Sequence, residues 1–238
     1  MKICACSAGG SLRRWTKSGR SGGLTGMMFL AAVLAGCQST PPHASVIGPG
    51  YRPNNVFVYP PKLSLDLRRV AVMPLSSETA GGDLPEGCEA LAPVLWDALV
   101  KTRKFEVVAV NARTLRVRTG QANWTGVENL PPDIFAFFRR EYSCDGVLFA
   151  ELTTYRGDAP MAVGWRLKLV DARSGQIVWT ADEVFDTSSV KVARSLQKFG
   201  EPPMLWPLFR EDNWLAMNSP RQLGRYSAAA MLDTLPER

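Results

Sequence analysis

Few side chains in this chain are able to do covalent or metal chemistry, and most of them fall apart on inspection. Only one histidine occurs, His43, within a Pro/Ser-rich stretch beside Pro41 and Pro42. Ser-His-Asp and Cys-His catalysis are therefore excluded, as is any His-bearing zinc site. The acids Asp182, Glu183 and Asp186 lie close together in sequence. Strand alternation would nevertheless send Asp182 and Glu183 to opposite faces, and no loop has calcium-binding spacing. Neither glycine pattern that cradles phosphate is present. The sequence thus leads us to expect no catalytic residue, no metal and no small-molecule cofactor. What remains are the thiols Cys4, Cys6, Cys37, Cys88 and Cys144. Of these, Cys37 has the most telling surroundings.

Upstream of Cys37 lie Lys2, Arg13, Arg14, Lys17 and Arg20, then an apolar run from Leu24 to Leu34. A basic start, a short apolar middle and small residues before a cleavage point define a secretory leader. The run is too short to cross a bilayer as a helix. Leu34-Ala35-Gly36-Cys37 resembles the lipobox of bacterial lipoproteins. The resemblance implies cleavage between Gly36 and Cys37 and a diacylglyceryl group on the Cys37 sulfur, the one covalent lipid the chain would carry. Each buried methylene contributes ~0.8 kcal/mol, so one chain holds weakly and two or three hold firmly. Gln38 stands where an Asp would imply retention in the inner membrane, so the resemblance implies the periplasmic face of the outer membrane.

Charge counts change once the leader is removed. The whole chain has 28 Lys+Arg against 22 Asp+Glu, but residues 1–36 hold five of the bases and no acid. The remainder carries 23 against 22, a net +1. Nucleic acid binding loses its electrostatic basis, since that depends on a basic face against phosphates.

Three segments follow: a leader over 1–36, a proline-rich tether over 37–66 and a single domain over 67–238. Pro41, Pro42, Pro49, Pro53, Pro60 and Pro61 interrupt regular structure in the tether. Val56-Phe57-Val58-Tyr59 breaks that pattern, either as a strand docked on the domain itself or as one donated to a neighbouring subunit. Within the domain, Arg69 to Leu75 reads as a buried first strand. Leu91, Val94, Leu95, Ala98 and Leu99 form an amphipathic stripe. Pro93, placed in a first turn, starts that helix near Glu89 to Ala92. Phe105 to Val110 is a second strand, and Pro131-Pro132-Asp133 opens a second helix with Ile134, Phe135, Phe138 and Tyr142. Gly146 to Thr153 is apolar enough to be central, and Val163 to Leu169 alternates as in a sheet with one wet face. Asp171 to Gln176 is a hairpin turn, with Asp171 bonding turn amides and Gly175 supplying positive φ. Ile177 to Thr180 returns, and helices follow near Ser189 to Phe199 and Pro220 to Leu235. The fold class is α/β, β-α-β-α-β-β-β-α-α, with a mixed sheet of about five strands. Cys88 and Cys144 fall at opposite ends of that sheet, too far apart for a disulfide.

These strands and the Leu167 to Trp179 hairpin resemble one broad group. It comprises the periplasmic domains of the curli secretion lipoprotein CsgG, the Pel export lipoprotein PelC, the penicillin-binding-protein activator LpoB and the N-terminal domain of TolB. The resemblance implies a non-enzymatic module that binds a protein partner or forms a homo-oligomer in envelope assembly or export. Its alternative version is a tethered activator of a cell-wall synthase; a carboxylate-only hydrolase stands lower. The barrel-building hairpins of CsgG have no counterpart, since neither 112–130 nor 187–218 shows paired alternating segments. Candidate interface residues are Trp206, Phe209 and Trp214 in an aromatic stretch, with Phe57 from the tether strand; the stretch reads equally as a flap packed on the sheet.

Overall fold

The computed structural model describes residues 51–77, 83–124, 130, 133–200 and 219–238. All of these fall in the second of two units, Met1–Pro41 and Pro42–Arg238. Six strands form one sheet: β1 (Val56–Val58), β2 (Arg69–Val72), β3 (Glu106–Ala109), β4 (Gly146–Arg156), β5 (Ala162–Asp171) and β6 (Ile177–Asp186). Their spatial order is β1-β6-β5-β4-β2-β3. Strand β2 pairs in parallel with β3 and β4, while β4, β5 and β6 form an antiparallel meander. Five helices are described: α1 (Leu84–Thr102), α2 (Ala112–Thr119), α3 (Ile134–Tyr142), α4 (Val190–Gly200) and α5 (Pro220–Leu232).

The meander dictates the layers. Leu167 and Leu169 alternate with Arg166 and Lys168, so β5 buries one face and leaves the other half-exposed. Leu148 and Leu152 of β4, Trp165 and Leu167 of β5, and Trp179 and Phe185 of β6 all join the buried side, under α1, α4 and α5. Burying each large apolar side chain contributes roughly 1.5–3 kcal/mol. Two tryptophans also need partners for their indole N–H groups. Trp165 Nε1 donates to Ser227 Oγ at 2.8 Å and Trp179 Nε1 to Thr234 Oγ1 at 3.0 Å. Both hydroxyls come from α5 and the turn after it, so the last helix is fixed in register on the meander. Close helix approach follows at Gly224, where a Cβ would collide with Leu91 of α1.

Among the described residues, the opposite face is covered only in part. Leu115 of α2, Ile134 and Phe138 of α3, and Trp124 pack on Ala71, Val147 and Phe149 of the β2–β4 region. Strand β4 is therefore buried from Gly146 through Leu152, as its unbroken apolar run requires. Asn111 caps α2, its Oδ1 accepting from the amides of Arg113 and Thr114.

The mixed sheet of about five strands is present, with six, because Val56-Phe57-Val58 docks on β6 of its own chain, the first of the two readings of that stretch. Two expectations need correction. Helix α1 begins at Leu84, with Pro85 in its first turn and Pro93 inside it. Pro93 and Glu89 are both exposed, so the Glu89 carbonyl freed by the proline faces water. The buried stripe of Leu91, Val94, Leu95 and Leu99 holds the helix across that gap. Finally, the stretch assigned to the tether is structured from Tyr51 onward. Leu63 and Leu67 are buried, the Leu63 amide donates to the Glu237 carbonyl, and Arg238 Nη2 donates to the Leu67 carbonyl.

The indole contacts give a stability test. Replacing Ser227 with Ala leaves a fully buried N–H without its acceptor, which costs about 1–3 kcal/mol. Urea unfolding of Ser227→Ala should show a loss of that size with an unchanged denaturant slope.

Candidate functional site

The residues singled out in the sequence divide into those the structure places and those it does not. Gly36 and Cys37 lie outside the described residues, as do Trp206, Phe209 and Trp214. Phe57 sits in β1 at the sheet edge, opposite Thr180, with 52% of its surface exposed. Val58 and Tyr59 beside it are exposed as well. The inward hydrogen bonds of this edge run from the Asp182 amide to the Asn55 carbonyl and from the Tyr59 amide to the Val178 carbonyl. Pro53, Pro60 and Pro61 bracket the strand, a device that keeps a sheet edge short.

The hairpin turn is built as its residue types demand. Asp171 Oδ1 accepts from the amides of Arg173 at 2.7 Å and Ser174 at 2.9 Å. Gly175 has φ +70°, a conformation that costs any other residue a Cβ clash. Beside it, Asp145 ties three elements together. Its Oδ2 accepts from the amides of Arg68 and Arg69, and its Oδ1 accepts from Arg173 Nη2 at 3.0 Å. Sequence reading passed over Asp145; an acid immediately before a central strand was the available signal.

The clustered acids turn out to hold structure. Asp182 accepts from Arg166 Nε at 2.8 Å, and Arg166 Nη1 reaches Glu151 at 3.3 Å, so one guanidinium spans β4 to β6. Glu151 is only 1% exposed, and a buried carboxylate requires such a cationic partner. Glu183 faces the other way, accepting from Tyr51 Oη and from the Asn54 amide, each at 2.8 Å. Burial, reinforced by the Glu183 carboxylate, holds the Tyr51 hydroxyl well above the usual tyrosine range. Asp186 accepts from the Ser188 amide at 2.7 Å and from Arg156 Nη2 at 2.8 Å. The Ser188 bonds, then the Arg156 guanidinium, hold its carboxyl below the ordinary value.

Cavities on the described surface include two of modest size. One of about 130 Å³ lies at the carboxyl ends of β2 and β3, among Val72, Leu75, Leu95 and Trp96. The other, about 180 Å³, lies beside the turn among Tyr59, Leu67, Asp171 and Gln176. Both are smaller than the ~300–1,000 Å³ of small-molecule sites, and neither contains a carboxylate pair. Among the described residues, no cluster of three His, Cys, Asp or Glu side chains could hold a metal ion. No described helix is long and apolar enough to cross a membrane. Trp124 is buried, and Asn123 Nδ2 next to it donates to the Pro74 carbonyl at 3.0 Å, so the loop is pinned from inside.

No protein-family model matches the chain, and no curated protein matches it. Solved structures with a similar fold include the PelC dodecamer from Paraburkholderia phytofirmans, at 15% identity and a TM-score of 0.42 over 77% of this chain and 96% of that one. Lipoprotein GNA1162 from Neisseria meningitidis aligns at 17% identity and a TM-score of 0.35, over 50% of this chain and 79% of that one. The LpoB C-terminal domain from Salmonella enterica aligns at 18% identity and a TM-score of 0.31, over 50% and 82%. PelC and LpoB belong to the group that the hairpin and central strands resemble.

Cys88 and Cys144 are both free thiols. Burial pushes the Cys144 thiol up to about 11, against which backbone hydrogen bonds act only in part. Burial also raises Cys88, which is half-exposed at the start of α1 and bonded to Ser77. Only thiolate reacts readily with iodoacetamide. Peptide mapping after treatment at pH 8 should find Cys88 modified before Cys144, with Cys144 reacting only once the chain is unfolded.

Proposed function

We propose that this protein is a lipid-anchored, non-catalytic binding module on the periplasmic face of the outer membrane, acting in envelope assembly or export. One observation carries the reading: Cys37 follows Leu34-Ala35-Gly36 at the end of a basic and apolar leader. The structure is compatible with it in a specific way. Each acid that might have served a hydrolase is bonded to a structural partner: Asp182 to Arg166, Glu183 to Tyr51 and Asp186 to Ser188.

The mechanism is tethering. An acyl anchor confines the domain to a thin layer above the bilayer, so a weak encounter with a partner in that layer acts at high effective concentration. Such a module needs a contact surface more than a pocket. The exposed β1 edge around Phe57 and the aromatic stretch with Trp206, Phe209 and Trp214 are the assigned contacts, toward a second copy or another envelope protein. Aromatic side chains are favoured there because they bury large areas at low entropic cost.

Affinity purification of the lipidated protein from cross-linked membranes tests the reading. Trp206→Ala with Trp214→Ala should lower recovery of the partner or of the oligomer at least tenfold, and Phe57→Ala should lower it less. Thermal unfolding should remain unchanged in Phe57→Ala, whose side chain is half exposed. Undiminished association in the double variant would remove the aromatic stretch from the interface. Recovery of a monomer bound to a cell-wall synthase would favour activation of that enzyme over assembly.

A further inference from the structure

We infer that α4 presents a cationic face to the membrane, so that the domain meets anionic lipid headgroups through Lys191, Arg194 and Lys198. This inference rests on the anchoring of Cys37 proposed above. Helical spacing puts the three basic residues within one narrow arc, and all three are exposed. The adjoining arc carries Val192, Ser195 and Leu196, which are buried. The sequence Val-Lys-Val-Ala-Arg-Ser-Leu-Gln-Lys-Phe-Gly contains no acid. Among the described residues, no carboxylate forms an ion pair with Lys191, Arg194 or Lys198. The nearby acids of β6 are engaged elsewhere, Glu183 with Tyr51 and Asn54, and Asp186 with Arg156 and Ser188. Val190, 62% exposed at the start of the helix, adds an apolar side chain of the kind that settles among headgroups.

Chain entry places this face. The Tyr51 amide donates to Ser195 Oγ at 3.2 Å, so residue 51, fourteen positions after Cys37, sits directly against α4. Arg52, the next residue, is exposed and adds a fourth positive charge beside the entry point. Residues 38–50 span about 45 Å when fully extended, and less in any other conformation. Headgroup charge acts over roughly 8–10 Å at physiological salt. A domain held so close samples that layer continually, and each basic residue near an anionic surface raises its occupancy about fivefold. Without these four bases the mature chain has 19 Lys+Arg against 22 Asp+Glu, a net −3. Arg113, Arg116 and Arg118 of α2 are exposed as well, but the α4 cluster is the one that adjoins Tyr51.

Lysine footprinting on the mature lipoprotein tests the contact. The protein is placed on vesicles of phosphatidylcholine alone and of phosphatidylcholine mixed with phosphatidylglycerol, then acetylated with a water-soluble reagent and mapped by peptide mass. Lys191 and Lys198 should react at least fivefold more slowly on the anionic vesicles and recover in high salt, whereas Lys101 on α1 should not change. Arg194→Glu should restore most of the lost reactivity. Unchanged Lys191 and Lys198 on vesicles that carry the protein would overturn the contact and leave the anchor standing, as would equal protection of Lys101. Vesicles of both compositions that float without the protein would overturn the anchor and the contact together.

Discussion

The structure depends on a meander that has one dry face. Trp165 and Trp179 are fully buried there, and each indole N–H must find an acceptor where water is absent. Ser227 and Thr234 supply those acceptors from the last helix and the turn after it. The chain end is thereby fixed over the centre of the sheet. From that placement the tail continues past β2, where Leu63 pairs with Glu237 and Lys104 Nζ donates to the carbonyls of Leu235 and Pro236. Desolvation at this clasp lowers the Lys104 ammonium from its ordinary value, and the nearby acids Glu237 and Asp233 oppose that shift. N-terminal segment, first strand and C-terminus are thus joined at one end of the domain.

The same constraint explains the uneven coverage of the sheet. Helices α2 and α3 cover only the parallel half of the second face. Beyond β4 that face carries Arg166, Lys168, Thr180 and Asp182, half-exposed side chains that tolerate water. Arg166 reaches from Asp182 to the buried Glu151, and the sheet keeps a polar strip instead of another apolar layer. Strand β1 closes one edge of this strip and presents Phe57 and Tyr59 outward.

Legibility in the sequence followed the strength of local periodicity. Alternation from Val163 to Leu169 and the unbroken apolar run from Gly146 identified the meander, and Asp171 with Gly175 identified its turn. Where local pattern conflicts with tertiary support, the reading failed. Pro93 argued for a late helix start, yet sheet packing carries α1 through it from Leu84. Strand β6 continues to Asp186 through Asp182 and Glu183, whose charges concealed a strand held by Arg166 and Tyr51. Val56-Phe57-Val58-Tyr59 stood out from the prolines as a strand, but its partner β6 lies more than a hundred residues away, beyond what local pattern can assign. Of the candidate site, Cys37 lies outside the described residues, and its assignment rests on linear sequence alone. Asp145 and the basic face of α4 emerged only once the fold had placed their partners.

The proposed function requires an acyl group on the Cys37 sulfur to hold the domain at the envelope. Mass analysis of the N-terminal peptide from membrane-extracted protein measures this directly. It should find a chain that begins at Cys37 with a diacylglyceryl group on the thiol. A chain that retains residues 1–36, or that begins at Cys37 with an unmodified thiol, would contradict it.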